Sequence, residues 1–84
     1  MRVRVRLFAS LREAVGQAEV SLDLPERATA EDAWAALARD RPTLSARRPR
    51  LTAAINRRYA PFDTQLEDGD ELVFVPPVSG GCGG

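Results

Sequence analysis

The stretch ELVFVPP, residues 71–77, decides the fold. Leu72, Val73, Phe74 and Val75 follow one another without a polar break. A short, wholly apolar run marks a central strand, covered on both faces or set at an interface. Pro76 and Pro77 fix φ and have no N–H to give to a ladder. The sheet must end there, and the chain leaves in a stiff, extended direction. Just upstream, Asp68-Gly69 is a tight-turn signal that delivers the chain into the strand.

Working outward, the other end of the chain supplies a neighbour for this strand. In Arg2–Phe8, the apolar Val3, Val5 and Leu7 alternate with Arg2, Arg4 and Arg6, the pattern of a half-buried strand. Ala9–Val15 is rich in helix formers and stops at Gly16. Glu19–Leu24 alternates again, with Val20, Leu22 and Leu24 inward, until Pro25. Thr29 reads as the N-cap of the one long helix, with Glu31 and Asp32 in its first turn, where the helix dipole favours acids. Ala33, Trp34, Leu37 and Ala38 form its apolar stripe, Trp34 as a core anchor, and Pro42 closes it. Thr43–Arg50, with Pro49 and three arginines, reads as an exposed loop. Leu51–Asn56 reads as a short strand and Arg57-Arg58 as its turn.

One amphipathic helix cannot bury its stripe alone and must lie across one face of a sheet. The order strand, strand, helix, strand, strand therefore predicts an α+β fold of the β-grasp (ubiquitin-like) kind. A mixed sheet of four or five strands packs on one main helix, with the first and last strands side by side in the centre. The folded body spans residues 1–78, and residues 79–84 form a flexible glycine-rich tail.

Composition narrows the function. The chain has 84 residues, room for one core. A single cysteine makes no internal bridge, and with no histidine a structural zinc site is excluded, so no metal is expected. No apolar run approaches the ~20 residues that cross a bilayer, and the arginine-interrupted N-terminus is no signal peptide. A cytoplasmic location is the expectation. There is no Ser-His-Asp set, no Cys-His pair, no phosphate-cradling glycine loop and no dinucleotide fingerprint. The domain thus brings no catalytic equipment of its own. The twelve bases, all arginine, balance twelve acids, but unevenly. Seven arginines and one aspartate lie between Arg39 and Arg58, and five acids with no base follow Pro61. Such asymmetry is either two solvated faces or a docking patch for a partner of opposite sign.

After Pro76-Pro77-Val78-Ser79 the side chains almost vanish: Gly80-Gly81-Cys82-Gly83-Gly84. Glycine costs the most ordering entropy of any residue. It serves where backbone threads a narrow channel or an enzyme grips a terminus without side-chain clashes. Gly84 presents an unhindered carboxylate, and that carboxylate is the functional group the sequence offers. A carboxylate is a poor electrophile. Activated as an acyl-adenylate by an ATP-using partner, it can lose AMP to a sulfur nucleophile and become a thiocarboxylate. It can equally lose AMP to an amine and become an isopeptide. The Gly-Gly pair alone does not choose.

Several segments together resemble the small, sulfur-carrier subunit of molybdopterin synthase. LFASLRE (Leu7–Glu13) is similar to that family's first strand running into its short helix, and LTAAINRRY (Leu51–Tyr59) to its third strand with a characteristic Asn, here Asn56. FDTQLEDGDELVFVPPVSGG (Phe62–Gly81) is the most specific piece: a Leu-x-Asp-Gly-Asp hairpin, an apolar strand, Pro-Pro-Val and Gly-Gly. The resemblance covers Arg2 to Gly81. It implies a carrier adenylated at its last glycine by a ubiquitin-activating-like adenylyltransferase using ATP and Mg, then thiocarboxylated by a persulfide sulfur donor. It further implies docking on the large synthase subunit in a heterotetramer, with the tail inserted to deliver sulfur to a cyclic pyranopterin monophosphate. Two such transfers build the dithiolene of molybdopterin, and the catalytic side chains belong mainly to the large partner.

The family pattern stops at its Gly-Gly, here Gly80-Gly81, whereas this chain continues Cys82-Gly83-Gly84. Gly84 is read as the reactive end because it already holds a free carboxylate. Gly81 is the alternative, after proteolytic removal of residues 82–84; three extra extended residues add ~10 Å to a tail that must fit a fixed channel. Cys82 reads as an exposed thiol of ordinary pKa, with no neighbouring cation in the tail to lower it. Docking is assigned to Phe74, Pro76, Pro77 and Val78, with Phe8 and Phe62 beside them, and the acidic hairpin Glu67–Glu71 as an orienting charge. Phe74 has a second reading as plain core. Rival functions are a carrier for thiamine or transfer-RNA thiolation, a ubiquitin-like modifier, and an RNA module using Arg47, Arg48, Arg50, Arg57 and Arg58. Without lysine the chain cannot build lysine-linked chains on itself. Zero net charge and only five aromatics argue against RNA, and neither nucleic acid nor membrane is expected as a partner.

Overall fold

The computed structural model describes residues 1–39 and 41–76. The expectations placed on Pro77, Val78, Gly80, Gly81, Gly83 and Gly84, and on the boundary at residue 78, lie outside the described residues.

Five strands form one sheet: β1 (Arg2–Leu7), β2 (Glu19–Asp23), β3 (Thr52–Ile55), β4 (Arg58–Ala60) and β5 (Glu71–Val75), in the order β2-β1-β5-β3-β4. β1 runs parallel to β5, with Arg4 opposite Glu71 and Leu7 opposite Phe74. The remaining pairings are antiparallel. The ends of the chain thus meet in the middle of a mixed sheet, as the alternation of Arg2–Phe8 and the apolar run of Glu71–Val75 predict.

Helix α2 (Ala30–Ala38) lies across one face of this sheet. Its start is a capping box: Thr29 Oγ1 accepts from the Asp32 N–H at 3.2 Å, and the Thr29 N–H donates to Asp32 Oδ2 at 2.9 Å. The next N–H groups, of Ala30 and Glu31, donate to the carbonyls of Thr64 and Phe62, so helix-start donors that would otherwise be orphaned are used to hold down the incoming loop. Trp34 and Leu37 meet Val3, Val5, Leu7, Leu72 and Phe74 in the core. Phe74 is its centre, 0% exposed, with the Trp34 ring edge-on at 5.0 Å and the Phe62 ring stacked at 5.9 Å.

Four expectations need correction. Thr43–Arg50 is not a loop: α3 (Pro42–Ser45) and a 3-10 turn (Arg48–Arg50) occupy it. Pro42 opens α3 rather than closing α2, because a first-turn residue has no use for its N–H. The wholly buried Leu44 anchors the segment. The β3–β4 turn is Asn56-Arg57, not Arg57-Arg58; φ is 51° and 71° at its two central residues, the geometry of a two-residue hairpin. Arg58 therefore starts a strand. Finally, of the two readings of β5, cover on both faces fails within the chain and an interface stays open: Leu72 and Phe74 are buried, whereas Val73 and Val75 are half-buried on the side away from α2.

Candidate functional site

Because β1 and β5 are parallel, both finish at the same edge of the molecule. Phe8 follows β1 there and starts α1 (Ala9–Val15); Pro76 follows β5. The described chain ends at this edge, with Pro76. Beside it lies a groove of about 340 Å³, lined by Ser10, Ala46, Arg47, Arg50, Leu51 and Pro76.

The sheet face opposite α2 divides into two halves. On β1, Arg2, Arg4 and Arg6 all point there, since Val3, Val5 and Leu7 are in the core. Each arginine finds a carboxylate across a strand boundary: Arg2 with Asp23 at 3.0 Å, Arg4 with Glu19 at 3.8 Å, Arg6 with Glu71 at 3.4 Å. Arg2 hydrogen-bonds Asp23 and adds its charge, holding that carboxyl below the usual aspartate range and raising its own pKa. This half is charge-neutralised. On the other half the register sets Val73 opposite Ala54 and Ala54 opposite Tyr59, with Val75 opposite Thr52. Tyr59 is 74% exposed, and Phe8, at the exit edge, 48%. Aromatic and branched apolar side chains on an open sheet face, next to the point where the chain leaves, mark an interaction surface.

The opposite end of β5 is closed on itself. The Asp68 carboxylate accepts from the Arg2 N–H at 2.8 Å, and the Gly69 N–H donates to the Arg2 carbonyl at 2.8 Å. Gly69 has φ 87° with open space around its missing side chain, so backbone conformation, not crowding, calls for glycine. Asp70 Oδ2 accepts from the Glu67 N–H at 2.7 Å, and its Oδ1 from Asn56 Nδ2 at 2.8 Å. Asn56 Oδ1 in turn accepts from the Glu71 N–H at 3.0 Å. The Leu-x-Asp-Gly-Asp motif and Asn56 are thus structural: they fasten the β3–β4 turn, the strand β1 and the entry to β5 into one corner. The acidic hairpin, read as an orienting charge for docking, lies at the end of β5 away from the exit. It sits a strand length away, roughly 17 Å, and its Asp68, Asp70 and Glu71 carboxylates are engaged internally.

Of the residues assigned to docking, Pro76 is half-buried at the groove and Phe8 stands exposed at the same edge. Phe74 does not belong with them. Its ring fills the core between Trp34 and Phe62, which removes it from any surface. Phe62 is half-buried and covered by the Arg48 guanidinium at 3.4 Å, itself bonded to Glu31. Sequence reasoning missed Tyr59, whose strand is only three residues long. The signal available was a large aromatic in an otherwise polar Arg57-Arg58-Tyr59 run. Among the described residues no cluster of acids and cysteine is placed to hold a metal, and no helix is long and apolar enough to cross a membrane.

A model of the ThiS family matches residues 5–81. The chain is 41% identical over 81 residues to the molybdopterin synthase sulfur carrier subunit of Escherichia coli (strain K12), covering 94% of this chain and 99% of that protein. It is 36% identical to the protein of the same name from Chlamydomonas reinhardtii, covering 96% and 100%. Among solved structures, SAMP1 from Haloferax volcanii superposes with a TM-score of 0.86 at 32% identity, covering 96% of this chain and all of that one.

Proposed function

The chain belongs to the ThiS family, and on that premise we propose that it is the sulfur-carrier subunit of a molybdopterin synthase. The observation that carries this reading is that the family match runs through Pro76-Pro77-Val78 to Gly81, the segment that leaves the sheet beside the open apolar face. The full-length likeness to curated carriers supports the molybdopterin branch over thiamine or transfer-RNA thiolation.

The chemistry belongs to the terminal carboxylate. An adenylyltransferase related to ubiquitin-activating enzymes attacks ATP with it, Mg²⁺ neutralising the phosphates, and pyrophosphate leaves. The terminal sulfur of a persulfide displaces AMP to give an acyl disulfide. A second thiol cleaves the S–S bond, leaving the thiocarboxylate and a disulfide on the donor. The carrier then docks on the large synthase subunit through the open half of its sheet, Val73, Val75 and Tyr59, with Phe8 at the exit edge and with Pro76, Pro77 and Val78 guiding the tail inward. The thiocarboxylate sulfur forms a C–S bond to a side-chain carbon of the cyclic pyranopterin monophosphate as a C–O bond at that carbon breaks, the oxygen leaving as water or with the phosphate. Hydrolysis of the acyl–sulfur bond leaves sulfur on the substrate and returns the carboxylate. The carrier has no turnover of its own and works in the cytoplasm, at the two ends of a heterotetramer.

Gly84 is the reactive residue if the chain is used as it stands. The family match ends at Gly81, which favours the second possibility, that Cys82–Gly84 is removed first. Isolation from the native cell with its bound partners, followed by intact-mass measurement, tests both. A mass in which one sulfur replaces one oxygen supports the carrier reading, and loss of three residues assigns it to Gly81. Amidation of the terminal carboxyl must abolish sulfur transfer; full activity after amidation overturns the reading. The likeness to a protein named small archaeal modifier protein 1 supports a second fate of the same adenylate, loss of AMP to an amine to give an isopeptide. Adducts that survive reducing agent on a gel would reveal it.

A further inference from the structure

Arg47 and Arg50 stand three residues apart on the 3-10 turn, the Arg50 N–H donating to the Arg47 carbonyl at 3.2 Å. In that geometry side chains at i and i+3 eclipse. Both therefore project to one side and line the groove with Ser10, Leu51 and Pro76. Arg48, between them, goes the other way to Glu31 and the Phe62 ring. All three arginines of β1 have carboxylate partners too. Among the described residues Arg47 and Arg50 pair with no carboxylate. Two positive charges thus line one groove beside Pro76, where the chain leaves the sheet for its tail.

We propose that Arg47 and Arg50 are an electrostatic docking site for carboxylates on the rim of the channel that receives the tail, the large synthase subunit being that receiver. This rests on the carrier reading above. Guanidinium forks bind carboxylates two bonds at a time, so the pair fixes orientation as well as sign. Placed at the mouth, it accelerates encounter. Nucleic acid is the competing occupant, but no aromatic side chain lines the groove to stack a base.

The test is stopped-flow association of the full-length carrier with the large synthase subunit of the same organism, at low and high salt. Arg47→Glu/Arg50→Glu should lower the association rate about tenfold to a hundredfold at low salt and flatten its salt dependence. Arg47→Gln/Arg50→Gln should fall between that and the unmodified chain. Arg27→Glu, in the turn at the opposite end of the sheet, should leave the rate unchanged. Circular dichroism and melting should match throughout. A Glu variant with the original rate and salt slope overturns the proposal while leaving the carrier reading intact. Failure of the unmodified chain to bind overturns both. Loss of single-stranded oligo(U) binding with unchanged protein association overturns it in favour of nucleic acid.

Discussion

At the start of β5, Asp68, Asp70, Gly69 and Asn56 tie together three segments far apart in sequence, and each polar group there faces another of the same chain. At its end, Val75 and Tyr59 lie on an open face, Phe8 stands exposed where β1 finishes, and Arg47 and Arg50 line a groove without a carboxylate among the described residues. Only five residues separate the two ends. The first has the composition of an interface that has already formed inside the chain. The second has that of an interface still lacking its other side: apolar surface without cover and charge without counter-charge. A strand whose entry is locked and whose exit is unfinished can hand a terminus to another protein without loosening its own fold.

The strand between the ends gives the largest expected effect. Phe74→Ala leaves a cavity under Trp34 and Phe62 and should cost about 3–5 kcal/mol, much of the stability of so small a domain, in chemical denaturation. Both ends fail together if this is right. A loss under about 1 kcal/mol, the range of a surface site, would place Phe74 outside the core after all. Next comes the exit. Tyr59→Asp should weaken binding to the large synthase subunit by about thirtyfold, the size of an interface hot spot, while changing stability by no more than about 0.5 kcal/mol. Calorimetry of binding beside thermal melting separates the two, and a stability loss without an affinity loss would erase the contrast between the ends.

How much of this was legible in the residues follows from how local each signal is. β1, β2 and α2 announce themselves through alternation and through the N-cap Thr29 with acids in the turn that follows it. The central pairing followed from an alternating segment at one end of the chain and an apolar run at the other. The side Phe74 faces did not, because an uninterrupted run has no alternation to read; only the pairing with β1, whose own parity is plain, fixes it. α3 and β4 are four and three residues long and are held by contacts distant in sequence, so composition read them as loop and turn. Tyr59 and Val75 share a face only through the register of two intervening pairings. The basic stretch looked uniform until the 3-10 turn sent Arg48 inward and Arg47 and Arg50 to the groove.

The locked end offers a finer test. Asn56 both donates to Asp70 and accepts from Glu71, and it sits at φ 51°, which Asn tolerates and Ala resists. Asn56→Ala should cost about 2 kcal/mol, near 1 for the hydrogen bonds and near 1 for the backbone. Asn56→Gly relieves the backbone part, so it should lose only the remainder. Equal losses in the two variants would mean that the side chain's bonds alone hold the corner. Binding to the partner should be unchanged in both, since nothing at this end faces the exit.

The smallest effect lies on the neutralised half of the sheet and depends on pH. The Asp23 carboxyl is held below its ordinary value, chiefly by its hydrogen bond to Arg2 and then by the charge of that guanidinium. Folding therefore favours the ionised form. The stabilisation is complete above the unfolded value, near pH ~3.9, and drains away as pH falls through the lower folded one. Both groups are exposed, so the contribution is small and screened by salt. Asp23→Asn should accordingly melt slightly below the unmodified chain at neutral pH in low salt, and the gap should close on acidification or on adding salt. If the gap stayed constant down to the most acidic pH at which the fold survives, the pair would be acting through packing rather than charge. The division of the open face into a neutralised half and a docking half would then need a different physical basis.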